Sequence, residues 1–113
     1  MEHGHSLVIP PHFDGNNYAY WKVKMKAFLK SIDERVWNSV EYRWEKPTTL
    51  FSEWQISQKE VVAFNSKAMN AIFNVVSMEE FKRISNIENA NIAWNILQTV
   101  HEGIMAVKIN KLQ

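Results

Sequence analysis

The stretch Phe13 to Ile32, FDGNNYAYWKVKMKAFLKSI, restricts the fold more than any other part of the chain. It opens with Phe13-Asp14-Gly15-Asn16, where Asp and Gly accept the backbone angles of a tight turn. Asn16 or Asn17 then stands where a helix cap is expected, its side-chain oxygen available to an unpaired N–H of the first turn. From there Tyr18, Trp21, Met25, Phe28 and Ile32 recur at steps of three and four, which places them on one helical face. Lys22, Lys26 and Lys30 fall on the opposite face, toward water. Three rings on one amphipathic helix require a sizeable apolar partner surface, so this helix cannot stand alone.

The remaining chain can supply that surface. Its 113 residues are 46% hydrophobic and include five tryptophans, and a chain of this length buries about two-thirds of its unfolded surface. Three glycines and three prolines argue against a low-complexity or disordered chain. Thirteen basic and twelve acidic residues leave a net charge of +1, unlike the strongly basic balance of a dedicated nucleic-acid binder. The sequence contains no cysteine, which excludes disulfides, thiolate metal sites and a cysteine nucleophile. No apolar run reaches the ~18 residues of a membrane span, and no apolar core follows a basic start as in a secretory signal. The expectation is a soluble, cytoplasmic, single-domain protein.

In chain order, Met1 to Ser6 is polar and reads as an unstructured tail. A histidine in third place, His3, also allows copper binding through a free terminal amine. Leu7, Val8 and Ile9 precede two prolines and are therefore extended. These aliphatics either fold back on the core or meet a partner chain. Residues 1–12 are thus an extended arm and 13–113 a helical domain. Ser31 or Asp33 caps a short second helix that buries Val36, Trp37 and Val40. Glu41 to Pro47 reads as a loop pinned by Tyr42 and Trp44. Ser52 or Ser57 opens the longest helix, running to about Val76 and central to the bundle. Its stripe is Val61, Phe64, Ala68, Ile72 and Val75, widened by Met69, Phe73 and Val76.

Ser77-Met78-Glu79-Glu80 is a capping box that restarts a short helix through Phe81 and Ile84. After a break from Ser85 to Asn89, Ile92, Ala93, Ile96, Leu97 and Val100 form the apolar face of a fifth helix, flanked by Trp94. Gly103 sits where a left-handed C-terminal cap is expected. A sixth helix then starts through Val107 and Leu112. Sustained alternation is absent, so the predicted class is all-α, a compact bundle of five to six helices.

The series PPHFDGNNYAYWKVKMKAFLKSIDERVW resembles the start of copia-type retrotransposon Gag polypeptides, abundant in plant genomes. The Trp44 and Pro47 linker, AMNAIFNVVSMEEFKRISN, NIAWNILQTVHEG and VKINKLQ follow in the same order. The resemblance covers Pro10 to Gln113. It departs from the family pattern where a cysteine usually stands near Ile87, in the less charged Ala90 to Ala93 run, and at Asn95, usually acidic. It implies a domain like the N-terminal part of a capsid, from a Gag polyprotein or a host gene derived from one. Phe13, Asp14, Gly15, Tyr18, Trp21, Met25, Phe28, Trp37, Trp94 and Gly103 are its structural signature. The 113 residues stop before the second half of the capsid region and before the CCHC zinc knuckle that binds RNA in such proteins.

The sequence offers no catalytic, cofactor-binding or metal-ligating set. His101-Glu102 lacks the second histidine of a zinc-protease motif, and His101 reads as structural. Glu79 and Glu80 are placed to cap a helix. Neither Gly15 nor Gly103 belongs to a phosphate-cradling loop, and no serine sits in a nucleophile elbow. An enzyme is not expected, nor a cofactor. Lys22, Lys24, Lys26 and Lys30 lie near Tyr18 and Trp21, but the rings fall on the buried face, so any RNA binding should be weak and salt-dependent.

Self-association is the leading expectation, as a dimer or larger or with another Gag-type chain. Leu7, Val8, Ile9, Tyr42, Trp44, Val107 and Leu112 are its candidate contacts, unless Tyr42 and Trp44 cover the core from their loop. The alternatives are an adaptor holding a peptide in a hydrophobic groove and the weak RNA binder.

Overall fold

The structure is a computed structural model that describes residues 9–112, with side chains through Gly103. Its first feature is the entry turn. The Asp14 Oδ1 atom accepts from the Asn16 N–H at 3.0 Å, and Gly15 takes φ +102°. The expected asparagine cap is not made: Asn17 is itself left-handed at φ 56° and its side chain makes no capping bond. Its carbonyl instead accepts from the Trp21 N–H at 2.9 Å. Helix α1, Tyr18–Ile32, buries Tyr18, Trp21, Met25 and Leu29. Leu29 takes the place predicted for Phe28, which is half-buried, and for Ile32, which is exposed. Ile32 is the last residue of the helix, before Asp33 goes extended.

Asp33 caps helix α2, Glu34–Glu41, by accepting from the Arg35 N–H at 2.8 Å. The Arg35 guanidinium grips the same carboxylate and lowers its pKa to about 2. Val36, Trp37 and Val40 are buried, as their spacing predicts. This short helix is the hub of the bundle, packing against α1, α3 and α5. Helix α3, Ile56–Val75, was the predicted centre but touches only α2 and α5 extensively. It buries nothing before Asn65, so its first turns lie outside the core. It starts after Gln55, whose N–H donates to Gln58 Oε1 at 2.7 Å, rather than at Ser52 or Ser57. Phe51–Glu53 form a single 3-10 turn before it.

Helix α4, Met78–Ile84, is capped by the Ser77 hydroxyl, which accepts from the Glu80 N–H at 3.4 Å. Helix α5, Ala90–Leu112, is the longest at 23 residues. Asn89 caps it, its Oδ1 accepting from the N–H groups of Asn91 and Ile92. The helix continues through Gly103, so the predicted left-handed cap and the separate sixth helix are both corrected. Up to Gly103 its buried positions are Ala90, Ala93, Trp94, Leu97 and His101. The stripe is rotated from the predicted one, with Trp94 central rather than flanking. An indole removes more apolar area from water than Ile92, Ile96 or Val100, which are left half-buried.

Trp94 completes an aromatic stack. Trp21 stacks on Phe13 at 4.8 Å and on Trp94 at 5.4 Å between ring centroids, and Trp37 meets Trp94 edge-on at 5.4 Å. The Trp21 indole N–H donates to the Pro11 carbonyl at 2.9 Å, which pins the end of the arm. Phe13 donates from its N–H to Val75 O and accepts from the Ser77 N–H, an isolated parallel bridge to Val76. The described residues form an all-α bundle of five helices without a strand.

Candidate interaction surface

The most conspicuous polar pair lies inside. Glu80 is 2% exposed, and its Oε1 stands 2.8 Å from His101 Nε2 and 3.1 Å from the Arg83 Nε that donates to it. The entry turn closes over the same carboxylate: a Cβ on Gly15 would stand 3.1 Å from Glu80 Oε2. The His101 ring stacks on Tyr18 at 5.3 Å and meets Phe13 edge-on at 4.8 Å. Of the expected capping box only the Ser77 half is made: the Ser77 N–H donates to the Phe13 carbonyl, and the Glu80 side chain turns to a buried imidazole instead. A carboxylate and an imidazole can exchange protons, but this pair is enclosed by aromatic rings. What the geometry supports is a joint between α4, α5 and the entry turn. Beside it the Tyr18 hydroxyl is buried without a hydrogen-bond partner among the described residues. Burial pushes its pKa well above the usual phenol value, and the charge on Glu102 adds to the shift. Among the described residues no group of three His, Asp or Glu side chains is placed to hold a metal ion.

The surface is more informative. No residue from Glu41 to Phe64 is buried. Yet this stretch presents Tyr42, Leu50, Phe51 and Ile56 at 61–78% exposure and Val61 at 42%. It is nonetheless held in place. Asn65, at the first buried position of α3, accepts at Oδ1 from the Trp44 indole N–H and from the Ala90 N–H, and donates to the Glu88 carbonyl. Asn89 donates to the Trp44 carbonyl at 3.2 Å, and Asn91 to that of Val40 at 2.7 Å. The Trp54 indole N–H reaches the Thr49 carbonyl, and its ring packs on Phe51 at 5.0 Å. A cleft of about 380 Å³ opens between α2 and α3, with Tyr42, Trp44, Val61 and Phe64 in its walls and Arg35, Arg43 and Glu60 around them. A smaller one, about 220 Å³, continues along Trp44 toward Pro47.

Of the contacts expected from sequence, Ile9 is 76% and Tyr42 63% exposed. Trp44 is half-buried and serves both expectations, its N–H held by Asn65 and its ring lining the clefts. Leu7 and Val8, the side chains of Val107 and Leu112, and the possible copper ligand His3 lie outside the described residues. The signature residues Phe13, Tyr18, Trp21, Met25, Trp37 and Trp94 come together in the core. Phe28 packs at its edge, Asp14 and Gly15 shape the turn, and Gly103 stands apart from all of them.

Leu50, Phe51, Ile56 and Val61 were missed as surface candidates. Leu50 and Phe51 had only the absence of any helical or strand period to mark them. Ile56 and Val61 precede the part of α3 that packs. Lys24, Lys26 and Lys30 of α1 are exposed as expected and Lys22 is half-buried, though these lysines also contact other side chains. Lys22 pairs with Glu102 at 2.8 Å, Lys30 with Glu34 at 3.5 Å, and Lys26 lies over the Trp37 ring at 5.2 Å.

No protein-family model matches the chain, and no curated protein or solved structure matches it either. Among the described residues no helix is long and apolar enough to cross a membrane.

Proposed function

We propose that this chain is a structural domain that works by self-association, of the copia-type Gag capsid kind or a domesticated derivative of it. The observation that carries the reading is the ordered stretch from Glu41 to Phe64, which contributes large apolar side chains to the surface and none to the buried core. Tyr42, Trp44, Val61 and Phe64 line one cleft and Phe51 packs on Trp54; apolar surface gathered in this way on a small domain marks a contact site, and burying it gains about 25 cal/mol per Å². Aromatic side chains such as Tyr42 and Phe51 are enriched in the buried centres of protein interfaces. The order of sequence motifs supplies the Gag part of the proposal. In this reading the chain performs no catalytic step, holds no cofactor, and acts in the cytoplasm.

A second reading, an adaptor that binds a peptide, is favoured by the cleft between α2 and α3, whose apolar walls are rimmed by Arg35 and Arg43. Light scattering on a sizing column, over a concentration series at low and high salt, separates the two. Self-association predicts a mass of two chains or more that rises with concentration and survives high salt. A monomer under every condition overturns it and leaves the peptide reading.

A further inference from the structure

Resting on that self-associating role, we infer that the Glu41–Phe64 face binds the same face of a second copy, giving a two-fold symmetric dimer. The centre of the contact is Leu50, Phe51 and Ile56, all more than 60% exposed. Phe51 is held against Trp54, so it does not have to be ordered when a partner arrives. The Asn65 bonds anchor the preceding loop in the same way. A face prepared like this loses less side-chain freedom on association than a mobile one.

The balance of charges disfavours a partner of a single sign and is compatible with a second copy. Between Tyr42 and Val61 the chain carries Arg43, Lys46 and Lys59 against Glu45, Glu53 and Glu60. A partner of one sign, such as a nucleic acid, an anionic membrane or an acidic peptide, would be attracted by half of these and repelled by the other half. A second copy turned about a two-fold axis presents both signs to both signs, which is the self-complementarity an isologous contact needs. The pairs these groups make within the chain are weak competitors. Arg43–Glu45 and Lys46–Glu88 stand at 3.7 and 3.6 Å and are well exposed, and such pairs contribute little.

The test is sedimentation velocity on the full 113-residue chain and three variants, with helix content and melting checked for each. Phe51→Asp and Ile56→Asp change side chains that lie outside the core, and Tyr20→Asp changes an equally exposed ring on α1. The dimer contact predicts that the first two weaken self-association by at least about tenfold, as at central interface positions, while Tyr20→Asp leaves it unchanged. Should Phe51→Asp fail to fold, Leu50→Ser replaces it and carries the same expectation. If the parent chain associates and the Phe51 and Ile56 variants associate equally well, this face is not the contact and the inference falls while self-association stands. A parent chain that stays monomeric overturns both.

Discussion

Glu80 and His101 meet at 2.8 Å inside the bundle, carboxylate to imidazole, and so join α4 to α5 beneath the entry turn. Removing one member of a buried pair leaves the other without its partner, which costs about 3 kcal/mol or more. Glu80→Ala is therefore expected to lose about that much in urea unfolding, and Glu80→Gln, which keeps a hydrogen-bonding oxygen, clearly less. Equal stability of Glu80→Ala and the parent would show that the pair does not hold the helices together.

Tyr18 gives the pH-dependent prediction. Its hydroxyl is buried and has no hydrogen-bond partner among the described residues, so the folded chain resists ionising it and its pKa lies above the ordinary 10.0. The unfolded chain ionises at the ordinary value. Stability from this group is complete below pH 10 and is lost as pH rises beyond it. Tyr18→Phe removes the buried hydroxyl and should raise stability by about 1 kcal/mol at neutral pH. Melting curves taken from neutral to strongly alkaline pH should show the decline above pH 10 reduced in the variant. An undiminished decline would assign it to other groups.

The candidate surface depends on Asn65. Replacing it with alanine leaves the Ala90 N–H and the Glu88 carbonyl without their partner and releases the Trp44 indole. A loss of about 2 kcal/mol is expected from these unmet groups, with faster amide hydrogen exchange from Arg43 to Lys46. Unchanged exchange there would mean the loop is ordered by other contacts.

Asn65 also shows where sequence reading stops. Helical periodicity reveals apolar stripes, and it located Trp21 and Met25 in α1 and Val36 and Val40 in α2 correctly. An asparagine in the α3 stripe looks like a polar interruption, because its partners lie at Trp44, Glu88 and Ala90, distant in sequence. Glu80 was hidden for the same reason: position marks it as a cap, and only the fold brings His101 to it. Trp94 was set beside its helix face because periodicity treats all apolar residues alike, whereas packing favours the largest ring. The exposed side chains Leu50, Phe51 and Ile56 have no periodic signature at all, since they contribute nothing to the buried core.

The two described glycines should respond in opposite ways. Gly103 lies within α5, and a Cβ there meets nothing within 4 Å. Gly103→Ala should stabilise the chain by up to about 1 kcal/mol, the helix-propensity difference. Gly15→Ala should destabilise, since φ +102° strains an L side chain and the added Cβ crowds Glu80. Thermal melts of the two variants decide this; a drop in stability for Gly103→Ala would restore the left-handed cap read from sequence.

The most direct test of the central claim is to record amide NMR spectra of the unmodified chain over a dilution series. Self-association through the proposed face predicts concentration-dependent shifts concentrated between Tyr42 and Val61, with little change around Tyr20 and Val23 on α1. Spectra that do not change with concentration, or changes centred on α1, would contradict it.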